Sequence, residues 1–220
     1  MTAPAPPNPP VSVSIRPMRV SDIGAVERVE ARSLPHPWPK GAYRHELEVN
    51  PHARFVVAAL APVAGVAVRA DAAPGPDGVI GFAGLWMQHD EAHLGLMAVD
   101  PAYRRHGIGA RLVARMLDEA IALGAACMTL EVRAGNAAAQ RLYARFGFQV
   151  VGERHAYYPD NDEDAWIMTT PPLGDRAWRE RFDRIRARLA RGADAASAGH
   201  EHDDGQHDEG QPGGEEQVGR

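Results

Sequence analysis

The sequence predicts an α/β (α+β) fold in which a mixed sheet is flanked by helices, and three observations carry that reading. Apolar runs of strand length recur through residues 13–170. Between them lie segments whose apolar residues repeat every three or four positions, as one face of a helix requires. In the middle of the chain strand, turn, helix, strand, helix and strand follow one another, an order that brings strands together in parallel with antiparallel hairpins around them.

Taken in order, residues 1–12 are expected to be a disordered lead-in, since the first ten hold five prolines and no charge. Val13 to Met18 alternates as a strand does, and Ser21 and Asp22 supply helix-start chemistry ahead of Ile23, Val26 and Val29 on one face. A short second helix follows Pro39 and ends before Asn50-Pro51. Phe55 to Leu60 and Val79 to Met87 are strands, separated by the Ala/Gly/Pro-rich stretch 61–78, which is either a wide connection or contains an extra strand at Val63 to Val68.

Leu94 to Val99 is a further strand that runs into Asp100-Pro101 and a glycine-bearing turn. Ile108, Leu112, Met116, Ala120 and Leu123 then mark a helix face that Gly124 stops. Met128 to Val132 is a strand, Asn136 to Phe146 a helix ended by Gly147, and Phe148 to Val151 and Trp166 to Thr169 two more strands. Together these form one compact domain, residues 13–173. Beyond it Trp178, Phe182, Ile185 and Leu189 share one stripe of an arginine-rich helix over 174–192, and 193–220 reads as a disordered acidic and histidine-bearing tail. The stripe either docks on its own domain or presents a docking helix to an acidic protein or ribosomal RNA.

At 220 residues, 45% apolar and 24% charged, the chain is neither a fibre nor a mini-protein. Its longest apolar stretch, Phe55 to Val68, is broken by Pro62 and Gly65, so no transmembrane helix is expected. The N-terminal residues lack the basic and greasy regions of a secretory signal, and a cytoplasmic protein is expected. The net charge of −5 is a tail effect: 193–220 alone carries −7, and the domain is close to neutral. No broad basic face is present, so direct nucleic-acid binding is not expected. The single cysteine, Cys127, has no clustered partners and reads as a small buried hydrophobe; no metal is expected.

The most informative segment is Val99-Asp100-Pro101-Ala102-Tyr103-Arg104-Arg105-His106-Gly107-Ile108-Gly109-Ala110 at the head of a helix. Gly107 and Gly109 remove side chains where the first-turn N–H groups point outward, so a polyanion can approach the positive end of the helix dipole. The same pattern also suits a plain tight turn. It matches neither common nucleotide fingerprint.

That Arg-x-x-Gly-x-Gly, Arg104 to Gly109, resembles the acyl-CoA signature of the GNAT acetyltransferases, and the element order agrees over residues 13–170. Leu130-Glu131-Val132-Arg133 with Asn136, Ala137-Ala138-Ala139, Leu142-Tyr143 and Phe146-Gly147-Phe148 resembles the RimI branch. So do Pro37-Trp38, Asp90-Glu91-Ala92, Tyr157-Tyr158-Pro159 and Glu163-Asp164-Ala165. The resemblance implies a mostly antiparallel mixed sheet flanked by helices, here with a C-terminal helical extension. It also implies transfer of acetyl from acetyl-CoA to a protein N-terminus, that of the N-terminal alanine of a small-subunit ribosomal protein. Gly135 stands where that family often has serine, and 61–78 and 174–220 exceed its usual length.

By the same resemblance the backbone of Met97, Ala98 and Val99 pairs with the pantetheine arm. Arg105, His106, Gly107, Ile108, Gly109 and Ala110 wrap the pyrophosphate, and Asn136 reaches the cofactor. The reaction is aminolysis of a thioester, and the resemblance places its general base on Glu131 and its proton donor to the leaving thiolate on Tyr143. From the residues alone, Glu131 interrupts an apolar strand and could equally be a solvated alternate position, and Tyr143 sits among core residues. His93 and His155 read as structural. Asp160, Asp162, Glu163 and Asp164 form an acidic loop that either reads an arginine of the substrate or is a solvated turn. The same cofactor site would serve acetylation of a small amine, such as an antibiotic or polyamine, or a non-catalytic acyl-CoA-binding module.

Overall fold

The computed structural model describes residues 13–60 and 78–198, with side chains as far as residue 192. Seven strands form one sheet: β1 (Val13–Pro17), β2 (Ala53–Leu60), β3 (Val79–Gln88), β4 (Glu91–Val99), β5 (Cys127–Arg133), β6 (Gln149–Tyr158) and β7 (Glu163–Thr169). Five helices pack on it: α1 (Ile23–Ser33), α2 (Ala42–Glu48), α3 (Ile108–Ala122), α4 (Ala137–Arg145) and α5 (Arg176–Ala198). The spatial order is β1-β2-β3-β4-β5-β7-β6. All neighbours are antiparallel except β4 and β5, which α3 joins as a parallel pair. The expected parallel pairing is thus confined to that one crossover, because β7 inserts between β5 and β6. The candidate strand at Val63 to Val68 and the expected lead-in lie outside the described residues, as does the tail beyond Ala198.

Both faces of the sheet are covered, which is why β2 and β3 read as nearly unbroken apolar runs. On one face Val56, Ala58, Ile80, Leu85 and Leu130 pack under Leu112, Val113, Met116 and Leu117 of α3. On the other, Phe55, Val57 and Phe82 pack under Val26 and Val29 of α1 and Tyr43 of α2. Asp22 ties this second layer to the sheet edge: its carboxylate accepts two bonds from Arg16, at 2.6 and 2.8 Å, and one from the Arg19 N–H at 2.7 Å. Arg16 holds that carboxyl below the usual carboxylate range.

A glycine reshapes β4 partway along its length. Leu94 pairs with Leu85 and Leu96 with Gly84, so Gly95 is an extra residue in the ladder, a bulge that bends β4. A Cβ at Gly95 would lie 2.7 Å from the ring of Trp86, so only glycine lets that indole lie across the strand.

The C-terminal stripe packs on its own domain. Trp178 and Phe182 are buried and stack at 5.2 Å, and the Trp178 Nε1–H donates to the Phe146 carbonyl at 2.9 Å. Asp175 caps the helix start, and Arg181 donates to the carbonyls of Ala144 and Arg145 at the end of α4. Arg186 pairs with Asp118 of α3 at 2.8 Å. The apolar stripe is therefore not available as a docking surface. α5 also runs to Ala198, past the expected end at 192: Gly192 does not stop it, and the alanine-rich segment behind it is a good helix former. No helix among the described residues is long and apolar enough to cross a membrane.

Truncating Trp178 to alanine should cost about 3–5 kcal/mol of stability, the usual penalty for emptying a large aromatic site. Deleting 199–220 should leave the denaturant midpoint unchanged. A Trp178→Ala variant as stable as the parent would show that α5 only rests on the domain.

Candidate active site

β4 and β5 start as partners and then part. Their ladder has three rungs, Glu91 with Cys127, Ala92 with Met128 and His93 with Thr129, and goes no further. β4 nevertheless stays paired to β3 as far as Val99, and β5 to β7 as far as Arg133. Past the Gly95 bulge the sheet therefore opens into a cleft. Leu96 to Val99 form one wall with no strand among the described residues on that side, and Glu131 to Arg133 form the other.

The turn from Asp100 to Gly107 closes one end of the cleft. Asp100 is 2% exposed, caps the Ala102 N–H at 3.0 Å and pairs with Arg32 of α1. Arg104 Nε donates to the Val99 carbonyl at 3.1 Å, and Ser33 Oγ reaches the same oxygen at 3.3 Å. Two residues have left-handed backbones, Arg105 at φ 72° and Gly107 at φ 75°. Gly107 accepts this readily; Arg105 is strained by it, on the order of 1–3 kcal/mol. The result is that the N–H groups of Ile108, Gly109 and Ala110 begin α3 without helical acceptors, a ready anion site. Gly109 is close to α4: a Cβ there would sit 3.2 Å from Leu142. His106 turns its Nδ1 to the Tyr103 and Arg104 carbonyls, at 3.1 and 3.0 Å.

Glu131 stands on β5 two residues past the last rung, with a side chain only 11% exposed. Its Oε1 accepts from Arg154 Nε of β6 at 3.1 Å, and its Oε2 lies 3.2 Å from His93 Nε2 of β4. Strand alternation points Leu130 and Val132 into the α3–α4 core and Glu131 to the opposite face. Tyr143 of α4 is in that core, 8% exposed and tilted against Phe148 at 5.7 Å. Burial, with a smaller contribution from the neighbouring Tyr158 phenol, pushes the Tyr143 hydroxyl well above the ordinary phenol range. Among the described residues no hydrogen bond joins Glu131 to Tyr143; the two flank the cleft from opposite sides of the sheet.

Other expected groups have local duties as well. Asn136 caps α4, its Oδ1 accepting from the Ala139 N–H at 3.1 Å, which leaves its amide N–H groups to face outward. The acidic turn between β6 and β7 is largely neutralised from within. Arg133 pairs with Asp160 at 2.8 Å and Glu163 at 3.0 Å, and lies 3.8 Å over the Tyr158 ring. Hydrogen bonds from Arg133 hold both carboxyls below their ordinary values. Asp164 accepts from the Ala156 N–H at 2.8 Å. Three of the four acids are thus spoken for, which weakens the reading of the loop as a charge sensor. The Tyr158 hydroxyl is pushed up to about 12, burial outweighing the Arg133 cation. His36, between α1 and α2, comes within 3.8 Å of Asp160, so that segment and the β6–β7 turn border the same opening.

Sequence reasoning missed the two partners of Glu131. Arg154 lies in a polar strand without an apolar signature. His93, read as structural, interrupts the apolar residues Ala92 and Leu94 much as Glu131 interrupts Leu130 and Val132, and that shared signal could have paired them.

The sequence pattern of the acetyltransferase (GNAT) family matches residues 24–148. A protein of Bacillus subtilis named putative [ribosomal protein bS18]-alanine N-acetyltransferase is 36% identical over 155 residues, covering 70% of this chain and 93% of that protein. The N-alpha-acetyltransferase RimI of Mycobacterium tuberculosis is 33% identical over 160 residues, covering 66% of this chain and 89% of its own length. The crystal structure of the ribosomal-protein-S18-alanine N-acetyltransferase from Escherichia coli superposes with a TM-score of 0.59 at 31% identity, over 73% of this chain and 94% of that one. A split sheet, an anion-ready helix start and relatives that each match over most of their length agree: the chain belongs to the acetyltransferase (GNAT) family.

Proposed function

We propose that this chain transfers the acetyl group of acetyl-CoA to the N-terminal α-amino group of a protein, the N-terminal alanine of a small-subunit ribosomal protein being the favoured acceptor. The observation that carries the reaction class is the carboxylate of Glu131 on the wall of a cleft whose other wall is an unpaired strand edge. The acceptor rests on the names of the relatives. The residues present fit acetyl-CoA: along Met97, Ala98 and Val99 no strand among the described residues pairs on the β5 side. Apart from the Val99 carbonyl, which Arg104 and Ser33 occupy, that edge offers peptide groups to an amide-bearing arm as an added strand would. The N–H groups of Ile108, Gly109 and Ala110, with Arg105 and His106 beside them, suit a pyrophosphate. When bound, acetyl-CoA supplies the thioester carbonyl that the amine attacks.

The chain's own residues then manage protons. An α-ammonium has an ordinary pKa of about 7.7–8.0, so most of it is protonated at neutral pH. Glu131 takes that proton, directly or through a water, and the freed nitrogen lone pair forms the N–C bond as the C–S bond breaks. Tyr143 donates its hydroxyl proton to the departing sulfur, and the acylated nitrogen gives up its second proton to restore the phenol, directly or through water, so that a neutral amide and a thiol result. Burial keeps that phenol protonated throughout the neutral range, and because it also makes the phenol a weaker acid than a thiol, the proton moves in concert with C–S cleavage and not to a free thiolate.

Mass spectrometry of alanine-starting peptides incubated with acetyl-CoA tests the proposal. One acetyl group on the α-nitrogen is expected, and acetylation of polyamines or lysine side chains in preference to it would favour a small-amine enzyme. Glu131→Gln keeps the shape of the side chain but not its basicity, and kcat should fall by about two orders of magnitude with little change in acetyl-CoA affinity. Wild-type turnover in that variant would remove Glu131 from the chemistry.

The pH dependence follows from the same assignment. Activity should rise to about pH 8 as the substrate amine loses its proton, then stay level to about pH 10 because the Tyr143 donor remains protonated. A falling limb below that range which disappears in Tyr143→Phe would show an ordinary phenol instead. At the helix start, Gly109→Val should raise the acetyl-CoA dissociation constant at least about tenfold, or 1.4 kcal/mol. Titration calorimetry giving unchanged affinity would move the pyrophosphate elsewhere.

A further inference from the structure

Glu131 is held from two directions by strands that do not touch each other. Arg154 reaches it from β6, on the far side of β7, and His93 reaches it from β4, across the opening cleft. Of the two, His93 is the better anchored. Its side chain is 21% exposed against 54% for Arg154, and its backbone belongs to the last β4–β5 rung, opposite Thr129, while also pairing with Trp86 on β3.

The imidazole also has a wall behind it. A Cβ placed on Gly95 would lie 2.7 Å from Trp86 Cζ3 and 3.4 Å from His93 Cδ2, so the indole and the imidazole border the same small space over the bulge. Trp86 is itself fixed: its Nε1–H donates to Glu46 Oε2 of α2 at 2.8 Å, and the Asn50 amide donates to the same oxygen at 2.7 Å. Through the Trp86–His93 ladder pair, the anchored Trp86 thus links α2 to β4 at the residue beside the Glu131 carboxylate.

A glutamate has three side-chain torsions, and a general base acts only when one oxygen points at the proton it removes. We propose that His93 is a positioning residue for Glu131: it sets the direction of Oε2 at the point where the two strands part, so that the carboxylate meets the α-ammonium in register. At 3.2 Å the imidazole Nε2 sits against one side of Oε2 and leaves the other side of that oxygen for the substrate, directly or through a water. The inference rests on the reading of Glu131 as the base.

The test compares His93→Leu, His93→Gln, Glu131→Gln and the double variant Glu131→Gln/His93→Leu in steady-state acetylation of an alanine-starting peptide. Thermal melts of each confirm that the fold is intact. His93→Leu should lower kcat roughly tenfold with KM for acetyl-CoA within about twofold, since a misdirected base slows the transfer and not cofactor binding. His93→Gln, whose amide can donate to Oε2, should recover most of the loss, a rescue that a general packing role would not produce. The double variant should be no slower than Glu131→Gln, because His93 acts only through that carboxylate. Wild-type kcat in His93→Leu, failure of glutamine to rescue it, or losses that multiply in full in the double variant would each overturn the proposal while leaving Glu131 as base. Full activity in Glu131→Gln would instead overturn the reading on which it rests.

Discussion

The structure depends on the point at which β4 and β5 stop pairing. Three rungs hold the two strands together, and the Gly95 bulge then carries β4 away while β7 keeps β5 in place. Unpaired backbone groups inside a sheet are costly unless water or a partner reaches them, so a ladder that ends early marks a place where something else is meant to bind. The geometry needs support on both sides. β3 holds the departing strand through Val99, and the turn beyond it is fixed by the Asp100–Arg32 pair and by the hydrogen bonds to the Val99 carbonyl. The strain at Arg105 is tolerated there because those contacts determine the turn from several sides.

Around that opening the two cores have different tasks. The α3 layer, extended by Trp178 and Phe182 of α5, is the larger, and it carries Tyr143 as a buried group. The layer under α1 and α2 is smaller and rich in aromatic contacts, with Trp38, Tyr43, Phe55 and Trp86 meeting one another at 5.1 to 6.1 Å. It forms the support for His93. The proposed acid and base thus draw their rigidity from opposite faces of one sheet, and the parted strands are where those faces meet.

Much of this was legible in the chain because the buried elements carry their own signals. β2, β3 and α3 are covered on the sides their apolar patterns indicate, and the turn with Gly107 and Gly109 announces a helix start. What was not legible has physical causes. β6 is an edge strand, and Glu153, Arg154 and His155 face water, so its second half has no alternation to read. The start of β4 was hidden for a different reason: Glu91 and His93 flank the buried Ala92 on a strand paired on both sides, so its polar residues do not follow the apolar pattern of an inner strand. That β7 lies between β5 and β6 is a long-range pairing that no local pattern encodes. An isolated glycine inside a strand can mark a bulge, but in the sequence Gly95 reads only as part of a plain strand, and its consequence, the parting of β4 from β5, depends on α3 and β7. The residues proposed for cofactor and catalysis came from the family resemblance; the pairing of His93 and Arg154 with Glu131 came only from the fold.

Amide hydrogen exchange along β4, measured with and without acetyl-CoA, tests whether the open edge is the cofactor's place. If it is, amides among residues 96–99 that face the cleft exchange faster than those of 91–93 in the free protein. They become protected on adding acetyl-CoA, together with those of 108–110. Exchange in 96–99 that is already slow in the free protein, or that acetyl-CoA leaves unchanged while protecting another part of the sheet, would contradict that placement.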